Sequence, residues 1–153
     1  MIAKLNADMQ LYRALSAGDL PGAYLINCSI DKEKTCSIEN PATAFNKGLC
    51  LFLLEEYEAA LSELKHAEQL LGNPPEIDIS EKKLFNKAVE ISNNSNHEQG
   101  LAVKPFDPGS EKIYARYILI RTKWLTALCL KALGRDGEAA MLKRFLSQYN
   151  IEI

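Results

Sequence analysis

The chain has 153 residues, long enough for one domain with its own core. Apolar residues make up 47% and charged residues 25%, the balance expected of an ordinary soluble globular protein. With 18 basic against 20 acidic residues the formal net charge is -2, so no positive field favours nucleic acid as a partner.

The opening stretch MIAKLNADMQLYRAL has no uninterrupted apolar run and does not read as a signal peptide. No apolar run approaches the ~20 residues that cross a bilayer, so no membrane role is expected and the cytoplasm is the default location. Of the four cysteines, Cys50 and Cys129 fall among apolar residues on predicted helices, where a thiol packs as a small hydrophobe. No CxxC-like spacing suggests zinc. A disulfide between Cys28 and Cys36 is open on spacing alone, but the expected compartment argues against it.

In chain order, residues 3 to 17 read as a first helix, with Leu5, Met9, Leu11, Tyr12 and Leu15 as its apolar stripe. Gly18 stops it. Asp19 caps a second helix, with Pro21 in its first turn and an end near Cys28. Residues 31 to 39 are polar and without period, and read as a loop. Asn40-Pro41 is the strongest helix start in the chain: the amide caps and the proline takes the first helical position. That helix runs to about Leu54 with Phe45, Leu49, Phe52 and Leu53 on its apolar side. A partner helix from Tyr57 to Leu71 carries Ala60, Leu61, Leu64, Ala67 and Leu71, and Gly72-Asn73-Pro74-Pro75 ends it.

Ser80 is the expected cap of a shorter helix through Ile91, and Ser92 to Asn96 break it. A long loop with Gly100, Pro105 and Pro108 follows. Asp107-Pro108 repeats the cap-plus-proline start and opens the longest helix, about 109 to 133. Gly134 closes it, and a last helix runs from about Asp136 to Tyr149. No run alternates like a strand, so seven helices and no sheet are expected.

Three turns match when superposed: SAGDLPGA ending at Ala23, LEEYEAA ending at Ala60 and LGRDGEA ending at Ala139. Each joins two helices and puts a small residue where they cross closely. The alanines are 37 and 79 residues apart, near one hairpin repeat and near two plus an insertion (60 − 23 and 139 − 60).

On these residues, 41 to 74 resemble a tetratricopeptide repeat, a 34-residue helix-turn-helix unit. Gly48 falls on the family's glycine, Tyr57 on the aromatic of the turn, and Ala60, Leu64 and Ala67 on its alanine, large apolar and second alanine positions. Ala44 stands where the family has tryptophan, Leu51 where it has tyrosine, and Gly72 where it has proline. Residues 120 to 149 are similar to a divergent second repeat through Trp124, Ala127, Gly134 and Ala139; residues 4 to 30 resemble a third more faintly. Residues 76 to 110 fit no repeat and form an irregular insertion.

The resemblance implies a single all-α domain, residues 1 to 153, built as an antiparallel helix-hairpin solenoid. One hairpin buries too little to stand alone, so stacked hairpins must share their faces. It also implies a non-enzymatic adaptor that takes a peptide or partner helix in a groove. Phe45, Asn46, Leu49 and Phe52 would line that groove from one repeat, and Arg121, Trp124 and Leu128 from the next. Arg121 stands out independently. It shares the helical spacing of Tyr114, Tyr117, Ile118, Trp124, Leu125 and Leu128, where a guanidinium needs a partner or must reach water. Two readings stay open: a contact to an anion or peptide carboxylate with help from Asn46, or an internal salt bridge. The aromatic stripe reads as core, and Lys112, Arg116 and Lys123 as a solvated face.

Nothing in the sequence carries an enzyme signature. His66 and His97 lack neighbours at ligand or triad spacing and read as surface residues. GxGxxG, GxxxxGK and GxSxG are missing. Glu55-Glu56 is a solvated turn, since adjacent helical side chains diverge. No cofactor or metal is implied. Two alternatives to the adaptor remain. One is self-association as a homodimer through the apolar-leaning end at Tyr149, Ile151 and Ile153. The other is a small helical ligand-binding protein or enzyme using residues 92 to 110 as a lid.

Overall fold

A computed structural model describes residues 2–32, 40–94 and 100–153. The expected loop at 31 to 39 thus falls mostly outside the described residues, as do Cys36 and His97. Eight α-helices form among the described residues: α1 (Ile2–Ser16), α2 (Leu20–Lys32), α3 (Pro41–Leu53), α4 (Tyr57–Leu71), α5 (Ile79–Asn94), α6 (Ala115–Ala132), α7 (Asp136–Ala140) and α8 (Lys143–Ser147). Two short 3-10 turns, Gly100–Val103 and Pro108–Ser110, lie between α5 and α6. No strand occurs among the described residues.

The all-helical expectation holds, with corrections to the count and to several boundaries. The expected last helix is two: Met141 and Leu142 donate to Glu138 and Ala139, three residues back. That tightening ends α7 and redirects α8, so Leu146 and Tyr149 point into the core. The expected start of the longest helix at 109 gives only a single turn. Asp107 Oδ1 accepts from the Gly109 N–H at 2.8 Å, but the backbone leaves helical geometry at Tyr114 (φ -112°, ψ 23°). Gly109 adds little helix propensity there, and the exposed Ile113 has no core to face. The helix proper spans 18 residues, about 27 Å at ~1.5 Å per residue. At α5 the cap is Asp78, which accepts from Ser80 Oγ and the Glu81 N–H, both at 2.8 Å, rather than Ser80 itself. Helix α2 runs past Cys28 and α5 past Ser92.

The Asn40-Pro41 start forms as expected, with Asn40 accepting from the Ala42 N–H at 2.8 Å. The three matching turns share one bonding pattern. Asp19, Glu56 and Arg135 donate to Ala14, Leu51 and Leu130, five residues back. Gly18, Glu55 and Gly134 donate to Leu15, Phe52 and Lys131, three residues back. The residue at the bend is left-handed each time: Gly18 at φ 75°, Glu55 at 63° and Gly134 at 75°. The alanine five residues beyond each bend, Ala23, Ala60 or Ala139, is buried. Asn150 (φ 60°) repeats the motif after α8 and turns Ile151 back under the core.

Close packing follows from small residues. A Cβ on Gly48 would lie 2.9 Å from Leu64 side-chain carbons and 3.4 Å from the Ala60 carbonyl oxygen, so α3 and α4 approach too closely for more than hydrogen there. One cluster joins Phe45, Leu49 and Phe52 to Ala60 and Leu64, and to Ile118, Leu125 and Cys129 of α6. Another gathers Ile120, Trp124 and Ala127 of α6 with Val89, Ala102, Leu146, Tyr149 and Ile151. A third joins Leu11, Ala23 and Cys50. Helices α3 and α6 therefore each contribute to two clusters: α3 to the first and third, α6 to the first and second. No helix among the described residues is long and apolar enough to cross a membrane.

Candidate functional site

Helices α3 and α6 supply all seven residues singled out from the sequence, and the chain's own segment, residues 104–108, lies against three of them, Phe45, Asn46 and Arg121. Phe45, Asn46, Leu49, Phe52, Arg121 and Trp124 are buried, and Leu128 is half-buried. Asn46 does the most specific work. Its Nδ2 donates to the Phe106 carbonyl at 2.8 Å, and its Oδ1 accepts from the Phe106 N–H at 2.9 Å. One amide side chain thus satisfies both main-chain groups of one residue. Asn40, besides capping α3, donates from Nδ2 to the Pro108 carbonyl at 2.8 Å. Arg121 donates to the Lys104 carbonyl.

These three anchors fall on residues 104, 106 and 108. That period of two belongs to an extended chain, so the segment is held as a strand would be, with side chains in place of a neighbouring strand. The ring of Phe106 adds a side-chain grip. It meets Phe45 edge-on at 5.2 Å between centroids, and the Arg121 guanidinium lies 4.9 Å above it. The guanidinium is also 5.4 Å from the Phe45 ring. Val103 and Phe106 pack on the cluster containing Leu49, while Ala102 joins the one containing Trp124.

Arg121 is 5% exposed, and among the described residues no acid pairs with it. Of the two readings left open, the internal salt bridge is replaced by a backbone carbonyl and two aromatic faces. Burial pushes its pKa down to about 9. Its Nε is buried and, among the described residues, has no hydrogen-bond partner. Trp124 and Leu128 do not touch this arrangement's polar part: Trp124 packs with Val89, Leu146 and Tyr149, and Leu128 bridges the two clusters.

A second polar group ties down the other end. Tyr149 Oη donates to the Glu76 carboxylate (2.8 and 2.7 Å), and Arg116 reaches Tyr149 Oη, Glu76 and the Pro74 carbonyl. Desolvation pushes Glu76 up, but the Tyr149 hydrogen bond and the Arg116 charge outweigh it and hold the carboxyl below its ordinary value. The solvated face expected of Lys112, Arg116 and Lys123 is therefore corrected for two of them: Arg116 is half-buried here, and Lys123 pairs with Glu68 at 2.7 Å. Of the three residues expected to form a dimer face at that end, Tyr149 and Ile151 are buried in this chain's own core and Ile153 is half-buried. His66 is half-buried rather than at the surface.

Chemically, this is a device for holding main chain. Burial raises the Cys50 thiol and pushes Cys129 up to about 12, so neither is a thiolate near neutrality. Among the described residues no group of three or more His, Cys, Asp or Glu could hold a metal ion. The sequence reading missed Phe106 and the second role of Asn40. An aromatic between two prolines, Pro105 and Pro108, was the available signal. The chain matches no family model, no curated protein and no solved structure.

Proposed function

We propose that this chain is a non-enzymatic interaction module of tetratricopeptide type, in which α3 and α6 line a trough for an extended stretch of another protein or peptide. The supporting observation is the ladder from Asn40, Asn46 and Arg121 to alternate carbonyls of residues 104 to 108. Those side chains recognise backbone, which any extended polypeptide offers, rather than a reacting group. The three equivalent turns at Gly18, Glu55 and Gly134 support the repeat assignment, with the second and third separated by the insertion. The test is capture from native lysate by immobilised wild type, Arg121→Glu and Asn46→Ala, each checked for an unchanged helical circular dichroism spectrum. Partners are expected to fall away with both variants. Equal recovery of the same partners removes the trough as the binding site.

A second reading, self-association, rests on α5. Leu84, Ala88 and Ile91 recur at helical spacing and are all exposed, opposite the inward Phe85 and Val89. Light scattering decides it: a mass that rises with concentration and is reset by Leu84→Glu supports a second copy on this face, and a concentration-independent monomer removes it.

A further inference from the structure

The segment that fills the trough is attached as a ligand would be. Side chains of α3, its cap and α6 reach main-chain groups of residues 104, 106 and 108, and one aromatic ring is read, that of Phe106 between Phe45 and Arg121. Lys104 and Asp107, the charged residues of the segment, are exposed, and among the described residues their side chains make no pairing with the trough beyond the turn made by Asp107 itself. The fit also leaves a remainder. Among the described residues Arg121 Nε has no acceptor, although the Phe106 ring lies 4.9 Å from the guanidinium. An occupant that brought one further acceptor would also satisfy that donor.

We infer that residues 103–108 act as a built-in competitor for the trough, and that its external occupant is an extended polypeptide segment with an aromatic residue at its centre and prolines on either side. This rests on the proposed interaction role and names the chemistry of the partner. Two features define the occupant. Its backbone must present a carbonyl at the first position, both N–H and carbonyl at the third and a carbonyl at the fifth, the pattern that Arg121, Asn46 and Asn40 complement. Its third residue must be aromatic, to sit edge-on to Phe45 under the guanidinium. Prolines before and after that residue favour the extended form and lower the entropy lost on docking. A tethered segment of this length has an effective concentration in the millimolar range, so the wild-type chain masks its own trough from weak competitors.

The test uses the full chain and a labelled peptide with the sequence of residues 102–109. By fluorescence anisotropy, Phe106→Ala is expected to bind the peptide at least ~10-fold more tightly than wild type, because the resident segment has lost its ring. A peptide with alanine at the same position is expected not to bind. A Phe106→Ala chain with a native helical spectrum that binds no more peptide than wild type overturns the inference. A second measurement needs no variant. In isotopically labelled wild type, millimolar unlabelled peptide is expected to broaden or shift the Asn46 side-chain amide and the Phe106 backbone amide; unchanged signals overturn the inference as well. The two proposals fail separately. Lysate partners that depend on Asn46, with no peptide binding, would leave the interaction role standing without the competitor. Peptide binding without lysate partners would do the reverse.

Discussion

Residues 41–71 and residues 100–110 lie against each other, yet they are ordered by different forces. The α3–α4 hairpin carries its instructions locally: a capping asparagine, a proline at the first helical position, apolar residues three and four apart, and a glycine where the helices cross. The crossing segment has no such pattern. Its conformation is written on α3 and α6, in Asn46 and Arg121, 60 and 17 residues away from their partners in it. The first region carries its own helix signals, whereas the second is extended where the first holds its main chain.

Breaking the shared support should have the largest effect. Leu49 is fully buried between α3, α4 and α6, so Leu49→Ala is expected to cost about 2–5 kcal/mol and to lower the melting transition of both regions together. A loss below ~1 kcal/mol would mean that the stack does not lean on this hairpin. Asn46→Ala separates the regions instead. It strips both main-chain partners from Phe106, at about 1–3 kcal/mol for a buried group left unpaired, less where water reaches the half-buried residue. Amide exchange at Phe106 is expected to accelerate far more than exchange in α4. Equal acceleration in both would show that the segment and hairpin open as one unit.

The hairpin turns offer a finer contrast. At equivalent bends the chain places Gly18, Glu55 and Gly134 in the left-handed region, where a side chain costs about 1 kcal/mol. Glu55→Gly is therefore expected to stabilise by about 1 kcal/mol and Gly134→Ala to destabilise by a similar amount, read from urea midpoints. No space limits the change at Gly134, since a Cβ there meets nothing within 4 Å, so the difference isolates backbone strain. A neutral Glu55→Gly would mean that this turn is held by more than its own geometry.

The same contrast explains what could be read beforehand. Helix α4 was legible to the residue because its period, its turn and its Gly72-Asn73-Pro74-Pro75 ending are all local. The division between α7 and α8 was not, because Met141 and Leu142 look helical, and only the pull of Leu146 and Tyr149 toward the core tightens the chain there. Arg121 was legible as an anomaly: a guanidinium on an apolar stripe. Its partners were not, since a backbone carbonyl leaves no mark on a sequence. Asn46 and Arg121 could be singled out from the resemblance on α3 and α6, but what lies against them comes from residues 104–108, whose place depends on side chains distant in the chain.

The smallest expected effect tests the other polar anchor, where Glu76 and Arg116 hold Tyr149. The Glu76 carboxyl titrates below its ordinary value when folded, because the Tyr149 and Arg116 contacts overcome desolvation. A depressed carboxyl stabilises the fold fully above its ordinary pKa of 4.5, and the contribution fades as pH falls through the lower folded value. The Tyr149 phenol shifts the other way. Burial and then its bond to Glu76 raise it above 10.0, so its share is complete below pH 10.0 and is lost as pH rises beyond the folded value. Stability should therefore decline on both flanks. Tyr149→Phe is expected to flatten both, and Glu76→Gln chiefly the acid one, in urea midpoints measured across pH. Glu76 is substantially exposed, so water screens the interaction and the acid flank should be shallow. An acid flank unchanged in Tyr149→Phe would place the titration elsewhere and leave this end held by apolar packing of Tyr149, Leu146 and Ile151.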